Sequence, residues 1–258
     1  MTSASEDARS VPELFEAVFG ADDEVAWNAI AALHWRGSRE VLDRALLLAR
    51  SNDPARRQRA ADILGQIGMP ERTFPDLCFS AILPLLADDN QEVLFSAIFG
   101  LQHIDPCRAA PHLLPFADHP LDKIRYAVAF ALGGVDSDAE AMTLLSLTMD
   151  RDPDVRNWAT FGLGRQSNAD SMEIRRALAD RLADEDADVR YEAIIGLARR
   201  RDRRALGFLK TLLHEEPEDY FAREAAAKLL GLDESGERTT DALLGSLQRL
   251  QRWGKGRL

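Results

Sequence analysis

One pattern of thirteen residues recurs seven times along the chain, and it restricts the fold more than any other feature of the sequence. The copy at residues 152–164 reads DPDVRNWATFGLG, and related copies begin at residues 22, 53, 90, 121, 186 and 219. Their average spacing of about 33 residues is the length of one supersecondary unit in a repeat protein. The chain is therefore predicted to be an array of similar units.

Each copy has the spacing of an amphipathic helix. Counted from zero at the start of a copy, the eleventh position is leucine in all seven copies, the seventh is alanine in six, and the third is usually Val or Ile. These positions form one stripe of a helix, and a small seventh residue lets a neighbouring helix approach closely. Asp or Asn at the start suits an N-cap, and Pro54 and Pro153 suit the first turn. We therefore predict one helix per copy.

Second amphipathic stretches separate the copies, and Pro75, Pro84, Pro111 and Pro115 are expected to kink or shorten some of them. No segment reads as a series of strands. The prediction is an all-α, right-handed α-α superhelix of about seven helical hairpins. Its parts are an N-terminal cap at 1–21, repeats at 22–237, and a C-terminal capping helix at 238–258 that begins near Thr240.

The motif D-x-x-V-R-x-x-A-x-x-x-L-G resembles HEAT repeats, and specifically the short HEAT-like repeats named after phycobilisome lyases. The resemblance covers about residues 20–232. It implies an armadillo-like helical solenoid, a fold that serves scaffolds, adaptors and a few enzymes. It also implies that the fourth-position arginines pair with acids of adjacent repeats; these are Arg57, Arg125, Arg156, Arg190 and Arg223.

The fifth and ninth positions point away from the buried stripe, and in four central copies they are mostly aromatic. We expect them to line the concave face of the solenoid. The apolar members are Phe95, Phe99, Tyr126, Phe130, Phe161, Tyr191 and Ile195, with Trp27 as an extension. The flanking copies hold Gln58 with Asp62, and Glu224 with Lys228, which we interpret as polar ends of the band.

An exposed apolar band of this kind is typical of a contact surface. We predict a noncatalytic scaffold or adaptor that binds an amphipathic helix or extended peptide of another protein on this groove. Self-packing of the aromatic side chains is the alternative. The groove could also be occupied by the chain's own C-terminal segment, or by a second copy in a homodimer.

The net charge of −11 opposes nonspecific binding to nucleic acid or an anionic membrane, so neither is expected as a partner. A basic turn is predicted as a secondary, salt-sensitive contact; its residues are Arg199, Arg200, Arg201, Arg203 and Arg204. The alternative is that these arginines bind helix C-terminal carbonyls and nearby acids.

Catalytic chemistry has little support in the sequence. His103, His112 and His119 lie near Cys107, but their spacing matches no compact set of metal ligands, and Cys78 and Cys107 form no CxxC motif. We expect no catalytic residue, metal or cofactor. The alternative is a bilin-lyase-like enzyme or accessory that binds a chromophore. The N-terminal residues are acidic and lack an apolar stretch, so we expect a cytoplasmic protein.

Overall fold

The computed structural model describes residues 4–135, 137–232 and 239–255. Within these ranges the secondary structure consists of α-helices, short 3-10 segments and one π-helical turn, without strands. The all-α prediction is confirmed. The chain divides into two compact units, Met1–Ala131 (unit 1) and Leu132–Leu258 (unit 2). The single array over residues 1–258 stays a prediction.

Unit 1 is made of helix pairs in which a shorter helix precedes the helix of a sequence copy. The copy helices α2, α4 and α6 pack against one another in chain order. The helices are α1 (Val11–Ala17), α2 (Asp23–Arg36), α3 (Arg39–Leu48), α4 (Pro54–Gln66), α5 (Pro75–Ile82), α6 (Gln91–Ile104), α7 (Pro106–Leu113) and α8 (Asp122–Leu132), whose last residue opens unit 2.

Unit 2 repeats this arrangement, with α10, α12 and α14 packed in chain order. Its helices are α9 (Asp138–Leu147), α10 (Pro153–Phe161), α11 (Met172–Arg181), α12 (Ala187–Arg199), α13 (Leu206–Glu215), α14 (Tyr220–Leu230) and α15 (Thr240–Lys255). A π-helical turn, Gly162–Gln166, continues α10. The last helix, α15, packs on α13 and α14 and buries Leu243, Leu244 and Leu247.

A helix begins at each of the seven copies, as predicted, and six of these helices have the predicted side-chain N-cap. In each of the six, the first side chain of the copy accepts a hydrogen bond from a backbone N–H in the first helical turn, which satisfies one of the free donors there. These N-caps are Asp22, Asp53, Asn90, Asp152, Asp186 and Asp219.

The predicted buried stripe is confirmed with three local departures, one of which is the exposed Arg56 at the third position of the second copy. The seventh residue is fully buried in all seven copies, and the eleventh-position leucine is fully buried in six, whereas Leu230 near the end of the array is only partly buried. In the first copy, Val25 at the third position is exposed and its neighbour Ala26 is buried instead. The stripe is therefore shifted by one residue at the start of α2.

Paired glycines bring the copy helices into close contact in both units. A Cβ atom on Gly65 of α4 would lie 2.7 Å from the Cα of Gly100 of α6, and one on Gly196 of α12 would lie 2.6 Å from the Cα of Gly164. Real Cβ atoms do not approach so closely, so both sites require glycine on packing grounds. The two units therefore share one mode of helix packing.

The predicted shortening of helices by proline is found, and the predicted pairing of fourth-position arginines is found at Arg57 and Arg156, whereas Arg190 donates to the backbone carbonyls of Asp184 and Glu185. Both α5 and α7 are only eight residues long, and a 3-10 segment that contains Pro84 or Pro115 follows each of them. Arg57 donates two hydrogen bonds to Asp88 of the next repeat, and Arg156 does the same to Asp184. Such planar, bidentate pairs fix the register between neighbouring hairpins.

Candidate functional site: an aromatic groove in unit 1

Four of the predicted contact residues meet on α6 and α8. The ring of Phe99 lies 4.8 Å from that of Phe95, 4.9 Å from that of Phe130 and 6.5 Å from that of Tyr126, measured between centroids. These distances are typical of favourable aromatic pairs. Each ring also stays partly exposed. We call Phe95, Phe99, Tyr126 and Phe130 the aromatic face.

A groove of about 380 Å³ borders the aromatic face and lies among α2, α4 and α6. We call it the Asp62 groove. Its lining residues are Trp27, His34, Gln58, Ala61, Asp62, Gly65, Gln66, Glu92, Phe95, Ser96, Phe99, Gly100 and His103. The volume is at the small end of the range for ligand pockets, so it suits one or two side chains rather than a long segment.

The structure corrects the interpretation of Gln58 and Asp62 as the polar end of the apolar band. Trp27 of α2 lies beyond them, lines the same groove and is 50% exposed. The two polar residues therefore lie in the middle of the surface, between Trp27 and the aromatic face. Two sequence signals pointed to this: Trp27 as an extension of the band, and an acid at a ninth position that is aromatic or aliphatic in the four central copies.

Asp62 is buried with weak pairing. Its side chain is 9% exposed, and its carboxylate lies 3.5 Å from Nη1 of Arg59, at the outer limit of a hydrogen bond. Burial raises the pKa of Asp62, and hydrogen bonds from Ser96 and Arg59 offset this only in part. Asp88 behaves in the opposite way to Asp62, because its bidentate hydrogen bonds from Arg57 hold the pKa of Asp88 below its usual range.

Two histidines of the groove are neutral near pH 7. Burial lowers the pKa of His34 to about 4, and its Nε2–H donates to the backbone carbonyl of Asp62 at 2.9 Å. Burial also lowers the pKa of His103, whose ring lies 6.3 Å from that of Phe99. The lining residues therefore carry two carboxyl groups, Asp62 and Glu92, and no cationic side chain.

The predicted contact residues of unit 2 lie in a different environment. Phe161 is partly buried, and the guanidinium of Arg165 lies 5.0 Å from the centre of its ring. The Tyr191 hydroxyl donates to Asp219 at 3.1 Å, and burial together with this acid raises the pKa of Tyr191. Ile195 is only 1% exposed, so it belongs to the core of unit 2 and not to an accessible surface.

Arg165 is the central residue of the unit 2 cluster. Its guanidinium also lies 3.9 Å from the ring centre of Phe221, and its Nη1 is 3.2 Å from Oε1 of Glu192. Both members of this ion pair are largely buried, and burial raises the pKa of Glu192. Unit 2 therefore supplies its own cation to its aromatic side chains.

Comparison with known proteins agrees with this architecture. A family model of HEAT repeats matches residues 11–78, 79–164 and 174–253. The chain belongs to the HEAT-repeat family. The curated protein YibA of Escherichia coli K12 is similar to this HEAT-repeat protein, with 29% identity over 190 residues that cover 70% of this chain and 67% of YibA. HEAT repeats form helical solenoids that are typical of protein-interaction scaffolds.

Two solved structures show the same fold. The X-ray structure of E. coli YibA aligns with a TM-score of 0.75 and 25% identity over 96% of this chain and 94% of YibA. An engineered protein aligns with a TM-score of 0.53 and 19% identity over 88% of this chain and 69% of its own. The complex of CpcE and CpcF of phycocyanin lyase from Nostoc sp. PCC7120 reaches a TM-score of 0.46 at 17% identity, over 89% of this chain and 85% of that one.

The basic turn of this HEAT-repeat protein contains one structural arginine. Arg200 is 7% exposed, and its guanidinium donates to backbone carbonyls of the loop after α10 and of α12. Arg200 is thereby excluded as a contact residue, because its donors already bind these carbonyls. Arg204 donates to Asp202, and Arg199 lies 3.6 Å from Glu224. Arg201 and Arg203 are exposed.

The described part of the chain contains no group of three or more His, Cys, Asp or Glu side chains that could hold a metal ion. Cys78 and Cys107 are free thiols, and burial raises the pKa of Cys78 to about 12. Among the described helices, none has the length and apolar character needed to cross a bilayer.

Proposed function

We propose that this HEAT-repeat protein is a noncatalytic scaffold or adaptor that binds an amphipathic helix or extended peptide of a partner protein on unit 1. The binding surface consists of the Asp62 groove and the aromatic face. One observation carries the proposal: the rings of Phe95, Phe99 and Phe130 pack on one another, yet each stays partly exposed beside an open groove. Exposed apolar patches of this kind are typical of interaction sites.

The arrangement of the surface favours a polypeptide over a compact metabolite. Its residues come from α2, α4, α6 and α8, and packed helices lie about 10 Å apart. A helix or extended peptide spans several such steps and places apolar side chains at intervals that match them. Phe161, Tyr191 and the exposed arginines of the basic turn are proposed as secondary contacts.

Trp27 and Phe95 are the best positions for a test. Phe99 contacts Phe95, Tyr126, Phe130 and His103, so its replacement would disturb packing as well as binding. We therefore choose Trp27→Ala combined with Phe95→Ala. The matched control is Trp35→Ala, because Trp35 lies on the same helix as Trp27, is 44% exposed and does not line the groove.

The experiment is a pull-down from native lysate with wild type, the double variant and the control, each first shown to be folded by thermal melting. We expect a protein that is captured by wild type and Trp35→Ala but lost with the double variant. Equal capture by all three would contradict the proposal. A chromophore that copurifies with the protein and is visible in its absorbance spectrum would instead support the lyase-like alternative.

A further inference from the structure

Two register positions differ between the Asp62 groove of unit 1 and the equivalent place in unit 2. The thirteenth position of a copy is Gln66 on α4 in unit 1 and Arg165 after α10 in unit 2. The sixth position of the following copy is Ser96 in unit 1 and Glu192 in unit 2. In each unit a glycine pair, Gly65–Gly100 or Gly164–Gly196, brings the helices of the two copies into the same close contact at the same register positions. The four side chains therefore occupy equivalent places.

The long side chains of unit 2 form a buried ion pair among aromatic rings. Arg165 contacts Glu192 at 3.2 Å and lies over both Phe161 and Phe221. In unit 1 the shorter Gln66 and Ser96 line the groove instead. The buried acid there is Asp62, whose contact with Arg59 is long, at 3.5 Å. The cations of unit 1, Arg59 over Trp27 and Lys123 over Phe95, do not line the groove, whereas Arg165 fills the equivalent place in unit 2.

The charges around the groove favour a cationic ligand. Its lining residues include Asp62 and Glu92 but no lysine or arginine, and both lining histidines are neutral near pH 7. Three cations lie near the groove without lining it: Arg59 lies over the Trp27 ring at 5.1 Å, Lys123 contacts Glu92 and the Phe95 ring, and the charge of Arg72 helps to lower the pKa of His34 and His103. The net charge of −11 also attracts a basic partner.

We infer that the Asp62 groove binds a lysine or arginine side chain of the partner segment. The aliphatic part of that side chain would lie along Phe95 and Phe99, and its cationic end would reach Asp62, as Arg165 reaches Glu192 in unit 2. This inference rests on the proposed function and defines the partner more closely. The partner is a polypeptide segment in which a basic residue is flanked by apolar residues.

A selection from a phage-displayed library of random peptides on full-length wild-type protein tests the inference without a known partner. Selected peptides are measured by fluorescence anisotropy against wild type, Asp62→Asn, the Trp27→Ala/Phe95→Ala variant and Asp43→Asn. Asp62→Asn keeps the shape of the side chain and removes its charge. Asp43→Asn is the matched control, since Asp43 is an exposed acid on α3 outside the groove.

The expected result is a set of peptides enriched in a Lys or Arg beside apolar residues. Their affinity should fall about tenfold or more with Asp62→Asn, since a hydrogen bond to a charged group is lost, and should not change with Asp43→Asn. Peptides that need Trp27 and Phe95 but lack a basic residue and bind Asp62→Asn equally would overturn the inference and leave the proposed function standing. If no selected peptide needs Trp27 and Phe95, both fail.

A change on the peptide avoids any effect of Asp62→Asn on folding. The basic residue of the tightest peptide is replaced by Nε-acetyl-lysine, which removes the charge and keeps the length of the side chain. We expect about the same tenfold loss on the wild-type protein. An acetylated peptide that binds as tightly as the original would overturn the inference.

Discussion

The two units use the same register to build different surfaces. In unit 1, Phe99 contacts Phe95 and Phe130, and Phe95 and Phe99 line a groove with a weakly paired acid, Asp62. In unit 2, Arg165 lies over Phe161 and is paired with Glu192. The same helix packing, fixed by a glycine pair in each unit, thus supports an open groove in one and a closed ion pair in the other.

Whether the space between two copy helices is open or filled depends on a few side chains and not on the backbone. Where one copy carries an arginine and the next copy carries an acid opposite it, as at Arg165 and Glu192, this ion pair fills the space between the helices. Where the two copies carry glutamine and serine, as at Gln66 and Ser96, the space stays open to a partner.

The largest expected effect comes from breaking the ion pair of unit 2. Arg165→Gln leaves Glu192 buried without its cation, which should lower the free energy of unfolding by about 3–5 kcal/mol. Urea denaturation followed by circular dichroism measures this. Adding Glu192→Gln should recover most of the loss, whereas Arg176→Gln at an exposed position should change stability by less than about 0.5 kcal/mol. A loss that Glu192→Gln does not recover would contradict the pairing.

The buried histidine of unit 1 should make stability depend on pH. The pKa of His34 is about 4 in the folded protein and about 6.5 in the unfolded chain. Between these two pH values the His34 ring is protonated in the unfolded chain but not in the folded protein. The contribution of His34 to the free energy of unfolding should therefore fall by about 3 kcal/mol as pH drops through this window, and this contribution should change no further below about pH 4.

Urea titrations of wild type and His34→Gln across this pH range isolate the effect, because the other groups cancel in the difference. His214→Gln, at an exposed histidine of unit 2, is the control and should follow the wild-type curve. Identical pH profiles for wild type and His34→Gln would show that His34 titrates normally in the folded protein.

The glycine pairs should be equally sensitive in the two units. Gly65→Ala and Gly196→Ala each force a Cβ to within 2.7 Å of a facing backbone, so the helices must separate. We expect each to cost about 1–3 kcal/mol, the range for overpacking. Gly207→Ala is the control, since a Cβ there meets nothing within 4 Å. Thermal melting measures the stability of all three variants. An unchanged melting temperature for Gly65→Ala would contradict the expectation that the two glycine pairs are equally tightly packed.

The smallest expected effect comes from making unit 1 resemble unit 2. Gln66→Arg places a guanidinium at the position equivalent to Arg165, beside the Asp62 groove. It should compete with a basic partner and weaken the binding of a selected peptide about tenfold, with little change in melting temperature. Gln66→Lys should act in the same direction, and Gln66→Glu should not weaken binding. Unchanged affinity for Gln66→Arg would mean that the groove is not where the peptide binds.

Much of the fold could be predicted from one copy of the pattern. The N-caps at Asp152 and Asp186, the fully buried seventh residues and the short helices before Pro84 and Pro115 follow from local rules of helix formation. The candidate site was predicted less completely. Phe95, Phe99 and Phe130 were found from their register, but Ile195 at an equivalent position is buried, and Arg200 is a structural residue.

The start of each helix and the stripe that it buries could be predicted from the sequence, because those properties depend on residues within one helix. The side of the helix that stays open could not be predicted, because it depends on how neighbouring helices pack. Asp62 shares its groove with Trp27 and Phe99, which lie on other helices more than thirty residues away. Exposure is set by the side chains that neighbouring repeats place opposite one another, and the periodicity of a single repeat carries no information about them.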